Sequence, residues 1–157
     1  MRLVNAYLDE KTGKSYATVE HNIGGVKRRF EGMAKAHPEE EHTSRFTGCR
    51  YAEMRAQIKA LKAERAYMIS KCEECRNFVK ACSQYKGWDK NSTTAKAIYR
   101  QLNKRIKAVN ELTNRINQLM WDLKIGIRQQ NSIQSTIEKS RGQRARLSFI
   151  DEVAKID

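Results

Sequence analysis

A chain of 157 residues has room for one compact domain, or for a small domain carrying an extended helical arm. Thirty-one Lys and Arg against 18 Asp and Glu give a formal net charge of +13, and the 39% hydrophobic content is adequate for an elongated helical fold. The charge points to an anionic partner, and a membrane partner is disfavoured because no apolar run reaches the ~18 residues of a span and no basic cluster adjoins a strongly apolar helix face.

Residues 2–31 are rich in strand formers, among them Leu3, Tyr7, Tyr16, Val19, Val26 and Phe30. Turn chemistry separates them at Asp9-Glu10-Lys11-Thr12-Gly13-Lys14 and at Asn22-Ile23-Gly24-Gly25. The pattern predicts a three-stranded antiparallel meander at about 2–8, 15–21 and 26–31. Such a sheet buries too little alone, so it should pack on helices or pair through an edge with another subunit. Lys27, Arg28 and Arg29 read either as a charged, protected edge or as a positive patch. The first ten residues turn polar too early for a secretory signal, which predicts a cytoplasmic protein.

Gly32 to Gly48 reads as a connector, with Pro38 and the acids after it suiting the start of a short helix. His21, His37 and His42 read as isolated surface histidines, because no two share a metal-ligand spacing beside Cys. From about Thr47 to Tyr85, Tyr51, Met54, Ile58, Leu61, Met68, Cys72, Cys75, Val79 and Cys82 recur at alternating steps of three and four, interrupted by Arg65. That is a helix with one apolar seam. Cys72, Cys75 and Cys82 fall on it, so the Cys72-Glu73-Glu74-Cys75 motif predicts small buried, reduced thiols and no metal.

The stretch Lys86-Gly87-Trp88-Asp89-Lys90-Asn91-Ser92 breaks the pattern, with Gly87 suited to capping one helix and Ser92 or Thr93 to starting the next. The second helix is predicted from about Ser92 to Lys139. Its seam runs through Tyr99, Leu102, Ile106, Val109, Thr113, Ile116, Met120, Leu123 and Ile127, and a rod of that length measures about 70 Å. Two seamed helices with a short link form an antiparallel hairpin. The second outruns the first, so a homo-oligomer is expected in which residues after about Leu119 take part. Gly126 is the expected bend. A basic break at Ser140–Arg146 and a short terminal amphipathic segment, with Phe149, Ile150, Val153 and Ile156, complete the reading. The fold class is therefore α+β, mainly α: a meander and connector at 1–46, a helical hairpin at 47–139 and a basic tail at 140–157.

No catalytic constellation emerges: there is no phosphate-binding glycine loop, HExxH or GxSxG, so a non-enzyme without cofactor is expected. The strongest signal is charge on the second helix. Lys90, Lys96, Arg100, Lys104, Arg105 and Lys107 occur between residues 90 and 110 without an intervening acid. Lys96, Arg100, Lys104 and Lys107 line one face opposite the seam. Exposed faces usually mix signs, so a single sign favours phosphate binding over plain solvation. The candidate site is Lys90, Lys96, Arg100, Lys104 and Lys107 for phosphates, with Tyr85 and Trp88 for stacking on a base; Trp88 also reads as an anchor closing the hairpin.

The stretches Gly32-Met33-Ala34-Lys35-Ala36-His37-Pro38-Glu39-Glu40 and Thr47-Gly48-Cys49-Arg50-Tyr51-Ala52-Glu53-Met54-Arg55-Ala56-Gln57-Ile58-Lys59 resemble small proteins encoded by phages and prophages of Gram-positive bacteria, a likeness that covers about residues 2–65 and, more loosely, 91–105. In those, a strand hairpin leads into G-x-A-x-C/A-x-P-x-D/E and then a G-x-x-x-A-x-x-R-A helix; Ala36 stands here where Cys is frequent. The resemblance implies an accessory protein acting in a bacterial host cell. That class includes inhibitors of host immunity, among them nucleotide sponges of the Thoeris anti-defence type, which similarly join a small sheet to long helices. No ligand residue of that type maps onto this chain. The leading expectation is a protein that sequesters a phosphorylated, cyclic nucleotide signal. The alternatives are a nucleic-acid binder, acting on DNA or on guide RNA as an anti-CRISPR, and a virion or scaffold component. A sponge needs a compact pocket and a nucleic acid needs a track.

Overall fold

Two glycine-bearing turns shape the start of the chain. In the computed structural model, which describes residues 1–35 and 45–153, β1 (Arg2–Asp9), β2 (Lys14–Ile23) and β3 (Val26–Lys35) form one antiparallel sheet in the order β1-β2-β3. Gly24 and Gly25 both have positive φ (61° and 87°) and link the paired Ile23 and Val26, the backbone a two-residue hairpin of the right twist requires. At the other turn the Asp9 carboxylate accepts from the Lys11 amide (3.1 Å) and the Thr12 hydroxyl (2.6 Å). The Thr12 bond holds the Asp9 carboxyl below its ordinary value; desolvation opposes it, and the backbone amides of Lys11 and Thr12 and the Lys14 charge add smaller effects in the same direction as Thr12. A carboxyl depressed in the fold stabilises fully above its unfolded pKa of about 3.9 and loses that contribution as pH falls through the lower folded value. Asp9→Asn should therefore lower the thermal midpoint slightly at pH 7, with the gap to the parent closing in acid. Melts from pH 7 to pH 2 showing a constant gap would refute this.

The third strand runs four residues past its predicted end. Gly32 was expected to open the connector, but it lies inside β3 because the strand there passes against a helix. A Cβ at Gly32 would collide with the Ala52 carbonyl oxygen and the Ala56 amide nitrogen. That helix is α1 (Arg45–Ser83). Its small residues Gly48, Ala52, Ala56 and Ala60 step by four along one face, the ridge spacing that lets a helix backbone approach closely. Ala52, Ala56 and Ala60 are fully buried, and Ala17, Ala34 and Ala52 form one apolar cluster. A Cβ at Gly48 would meet the buried Ser15 side chain, and one at Gly24 would come within 2.6 Å of the Tyr67 ring. Arg55 and Lys59 reach β3 from α1 and donate to the carbonyls of Met33 and Glu31, the latter at 2.7 Å. The connector around Pro38, with His37 and His42, lies outside the described residues.

α1 ends at Ser83, two residues before the end predicted near Tyr85. Gly87 does not adopt a left-handed cap; instead the amides of Gln84 and Tyr85 bond three residues back to Ala81 and Cys82, tightening the last turn until it stops. Ser92 caps α2 (Thr93–Val153), its hydroxyl accepting from the Ala95 amide at 3.2 Å. Arg105 on α2 donates to the Lys71 carbonyl (2.8 Å) and the Cys75 sulfur (3.0 Å) of α1, a contact in keeping with the chain reversing through the loop between the two helices. Leu61, Cys72, Ala95 and Ile116 are buried on the hairpin.

The chain divides into two units, Met1–Met120 and Trp121–Asp157. Within the second, α2 continues through Gly126 and through Ser140–Arg146, where a break is predicted; no proline interrupts it, and a helical glycine costs only about 1 kcal/mol. The basic tail, as far as Val153, is thus the end of the same helix. Trp121, Ile133 and Ile137 are exposed on it. The side chains of Phe149, Ile150 and Val153, and the whole of Ile156, lie outside the described residues. Among the described residues no helix is long and apolar enough to cross a membrane.

Candidate functional site

α2 presents its core stripe to one side and a basic row to the other. With 100° per residue, Lys96, Arg100, Lys104 and Lys107 fall within an arc of about 80°, roughly opposite the stripe of Ala95, Leu102, Ile106 and Ile116. All four are exposed, and the row extends about 16 Å along the helix at 1.5 Å per residue. Among the described residues Lys96, Arg100 and Lys104 have no acidic partner. Lys107 lies 4.0 Å from Glu111, an exposed pair of the kind that contributes little. Asn103, Asn110 and Asn114 flank the row with amides, and Glu111 ends its single-sign character.

The loop at 84–92 carries the other predicted members. Lys90 is exposed, and Tyr85 is 82% exposed, an aromatic ring offered to solvent. Trp88 is half-buried; its amide donates to the Tyr85 carbonyl at 3.0 Å, and its indole nitrogen is buried without an acceptor among the described residues. An Asx turn, Asn91 amide to Asp89 carboxylate at 2.8 Å, fixes the loop between them. The structure thus brings the four helix cations into one row, and places Lys90, Tyr85 and Trp88 together in the loop preceding it.

Arg105, the sixth cation of the run, is not part of that row. Its guanidinium is turned inward on Lys71 and Cys75, and its place in the α2 pattern, beside Ile106 on the buried side, is the sequence signal for this. All four cysteines are free. Cys72 is buried as expected, but Cys75 and Cys82 are only half-buried, and Cys75 accepts a charge-assisted bond where an apolar thiol was expected. His21 likewise departs from the surface reading: it is half-buried and its Nε2 lies 2.7 Å from the Glu64 carboxylate. The partners are 43 residues apart, so no local spacing could have paired them. Among the described residues no three His, Cys, Asp or Glu side chains are grouped to hold a metal ion.

No protein-family model, curated protein or solved structure matches the chain. Of the residues that carry the phage-protein resemblance, six lie in the sheet–helix contact: Gly32 and Ala34 on β3, Gly48, Ala52 and Ala56 on the α1 ridge, and Arg55 on the Met33 carbonyl; Ala36, Pro38 and Glu40 lie outside the described residues. That pattern encodes how α1 docks on the sheet.

Proposed function

We propose that this protein is a non-enzymatic binder of phosphate-bearing ligands, and that its ligand is the backbone of a nucleic acid laid along the α2 row. The observation that carries this reading is the row itself: cations of one sign, all exposed and, among the described residues, paired with an acid only at Lys107, in a line about 16 Å long. A line of this kind matches successive phosphates better than one small anion. In keeping with the resemblance, the protein would act as a phage accessory factor in a bacterial cytoplasm, on DNA or on a guide RNA. Self-association belongs to the same proposal, since the exposed Trp121, Ile133 and Ile137 give the α2 arm an apolar surface for a second copy.

A second reading, capture of a phosphorylated cyclic nucleotide, is favoured by a separate observation. The orphaned Trp88 indole donor lies in the same loop as the open Tyr85 ring and the exposed Lys86 and Lys90. Salt distinguishes the two. Binding of the full chain to a labelled oligonucleotide, measured from 50 to 300 mM NaCl, should show a log–log slope of about −3 to −4 if four phosphates are neutralised. A cyclic dinucleotide should give a much shallower slope and a large loss on Tyr85→Ala, since stacking would carry more of the affinity. Absence of binding to either anion at 50 mM NaCl would sink both readings.

A further inference from the structure

The two edges of the sheet are treated differently. On β3 the carbonyls of Glu31 and Met33 are occupied by Lys59 and Arg55, and the strand carries Lys27, Arg28 and Arg29. β1 has no such covering among the described residues. Its exposed side chains include Leu3, Val4 and Tyr7, and its one irregularity is a bulge that leaves Val4 unpaired with β2. An uncapped apolar edge is a template for strand addition.

We propose that β1 pairs antiparallel with β1 of a second copy of this chain, about a two-fold axis through Ala6, joining two sheets into one of six strands. The argument is register. Residues facing each other across a ladder must point to the same side of the sheet. Pairing with β2 puts Leu3, Ala6 and Leu8 on the helix side, opposite Val19, Ala17 and Ser15, and Arg2, Asn5, Tyr7 and Asp9 on the outer side. With the axis at Ala6, Ala6 faces its own copy and Asn5 faces Tyr7. Because the bulge absorbs Val4, Leu3 then faces Leu8 and Arg2 faces Asp9. Every pair keeps its side, the leucines meet on the apolar face, and each end of the ladder closes with opposite charges. Moving the axis to Asn5 sets Arg2 against Tyr7, and moving it to Tyr7 sets Arg2 against Lys11, so the chain's own charges select one register. The interface is independent of the basic row and of the α2 arm, and it would be isologous.

The register makes the test sharp. Facing residues at the axis have Cα atoms about 4.5–5.5 Å apart, within disulfide reach. Ala6→Cys in the full chain should give a reducible covalent dimer under mild oxidation at micromolar concentration. Asn5→Cys, whose copies lie too far apart, should not, and neither should the parent with its four native cysteines. Leu3→Asp, at a half-exposed position, should stay folded by circular dichroism and weaken self-association at least ten-fold in sedimentation equilibrium. Cross-linking of Ala6→Cys no faster than that of Asn5→Cys, or a folded Leu3→Asp that associates like the parent, would overturn the proposal. The second result would leave the α2 arm as the route to any dimer.

Discussion

Gly32→Val is expected to destabilise the first unit strongly. Gly32 has no unusual φ, so a side chain there meets no backbone penalty; the obstacle is that its Cβ would enter the space of the Ala52 carbonyl and the Ala56 amide. Those atoms belong to the middle of α1 and cannot swing aside as a flexible side chain would. The helix must lift from β3, and with it go the buried alanine cluster and the bonds from Arg55 and Lys59. Overpacking of this kind costs about 3 kcal/mol at the upper end of its usual range. At an m-value of about 2 kcal/mol/M the urea midpoint should fall by about 1.5 M. Gly87→Ala is the matched control: nothing lies within 4 Å of its Cβ position and its φ is not left-handed, so stability should change by less than about 0.5 kcal/mol. A Gly32→Val midpoint close to the parent's would mean that the sheet does not lie on α1 as described.

Arg100→Glu combined with Lys104→Glu should leave the fold intact and remove nucleic-acid binding. Both side chains are exposed on the side of α2 away from its buried stripe, so reversal opens no cavity and leaves no buried group unpaired. It replaces two attractions in the centre of the row with two repulsions, and net charge falls from +13 to +9. Affinity for an oligonucleotide at low salt should fall by about 100-fold or more, with a visibly smaller salt slope. Lys62→Glu with Arg76→Glu changes the net charge equally at exposed positions of α1 and should cost only a few-fold. Equal losses from the two pairs would reduce the α2 row to a contribution to overall charge. Unchanged binding by the α2 variant would remove it from the function altogether.

The meander and the two helices were legible in the sequence because each rests on a repeating local signal: alternation with turn glycines in the first 31 residues, and three-four periodicity after Arg45; the α2 seam holds as far as Ile116, which is buried, but Met120, predicted on it, is exposed. What escaped was determined by contacts between distant residues. Gly32 carries the local mark of a break, and only the approach of Ala52 and Ala56 shows why a strand passes through it. Alanine is a weak marker of a core by itself, so the periodic Tyr51, Met54 and Ile58 outweigh the Ala52, Ala56 and Ala60 ridge in the local pattern, although the ridge is what meets the sheet. For the candidate site, the facing of Lys96, Arg100, Lys104 and Lys107 followed from helix geometry alone. The inward turn of Arg105 and the pairing of His21 with Glu64 depended on a neighbouring element whose register no single helix encodes.

Arg55, Lys59 and Arg105 also alter what the high isoelectric balance of this chain means. Each is bonded to a carbonyl, and Arg105 to a thiol as well, acceptors that carry no full negative charge. They act as struts of the architecture, yet none is neutralised by the bond it makes. Part of the electrophoretic mobility of the native protein is therefore a by-product of construction. Replacing these three residues with neutral ones would lower mobility and mechanical integrity together while touching no member of the α2 row.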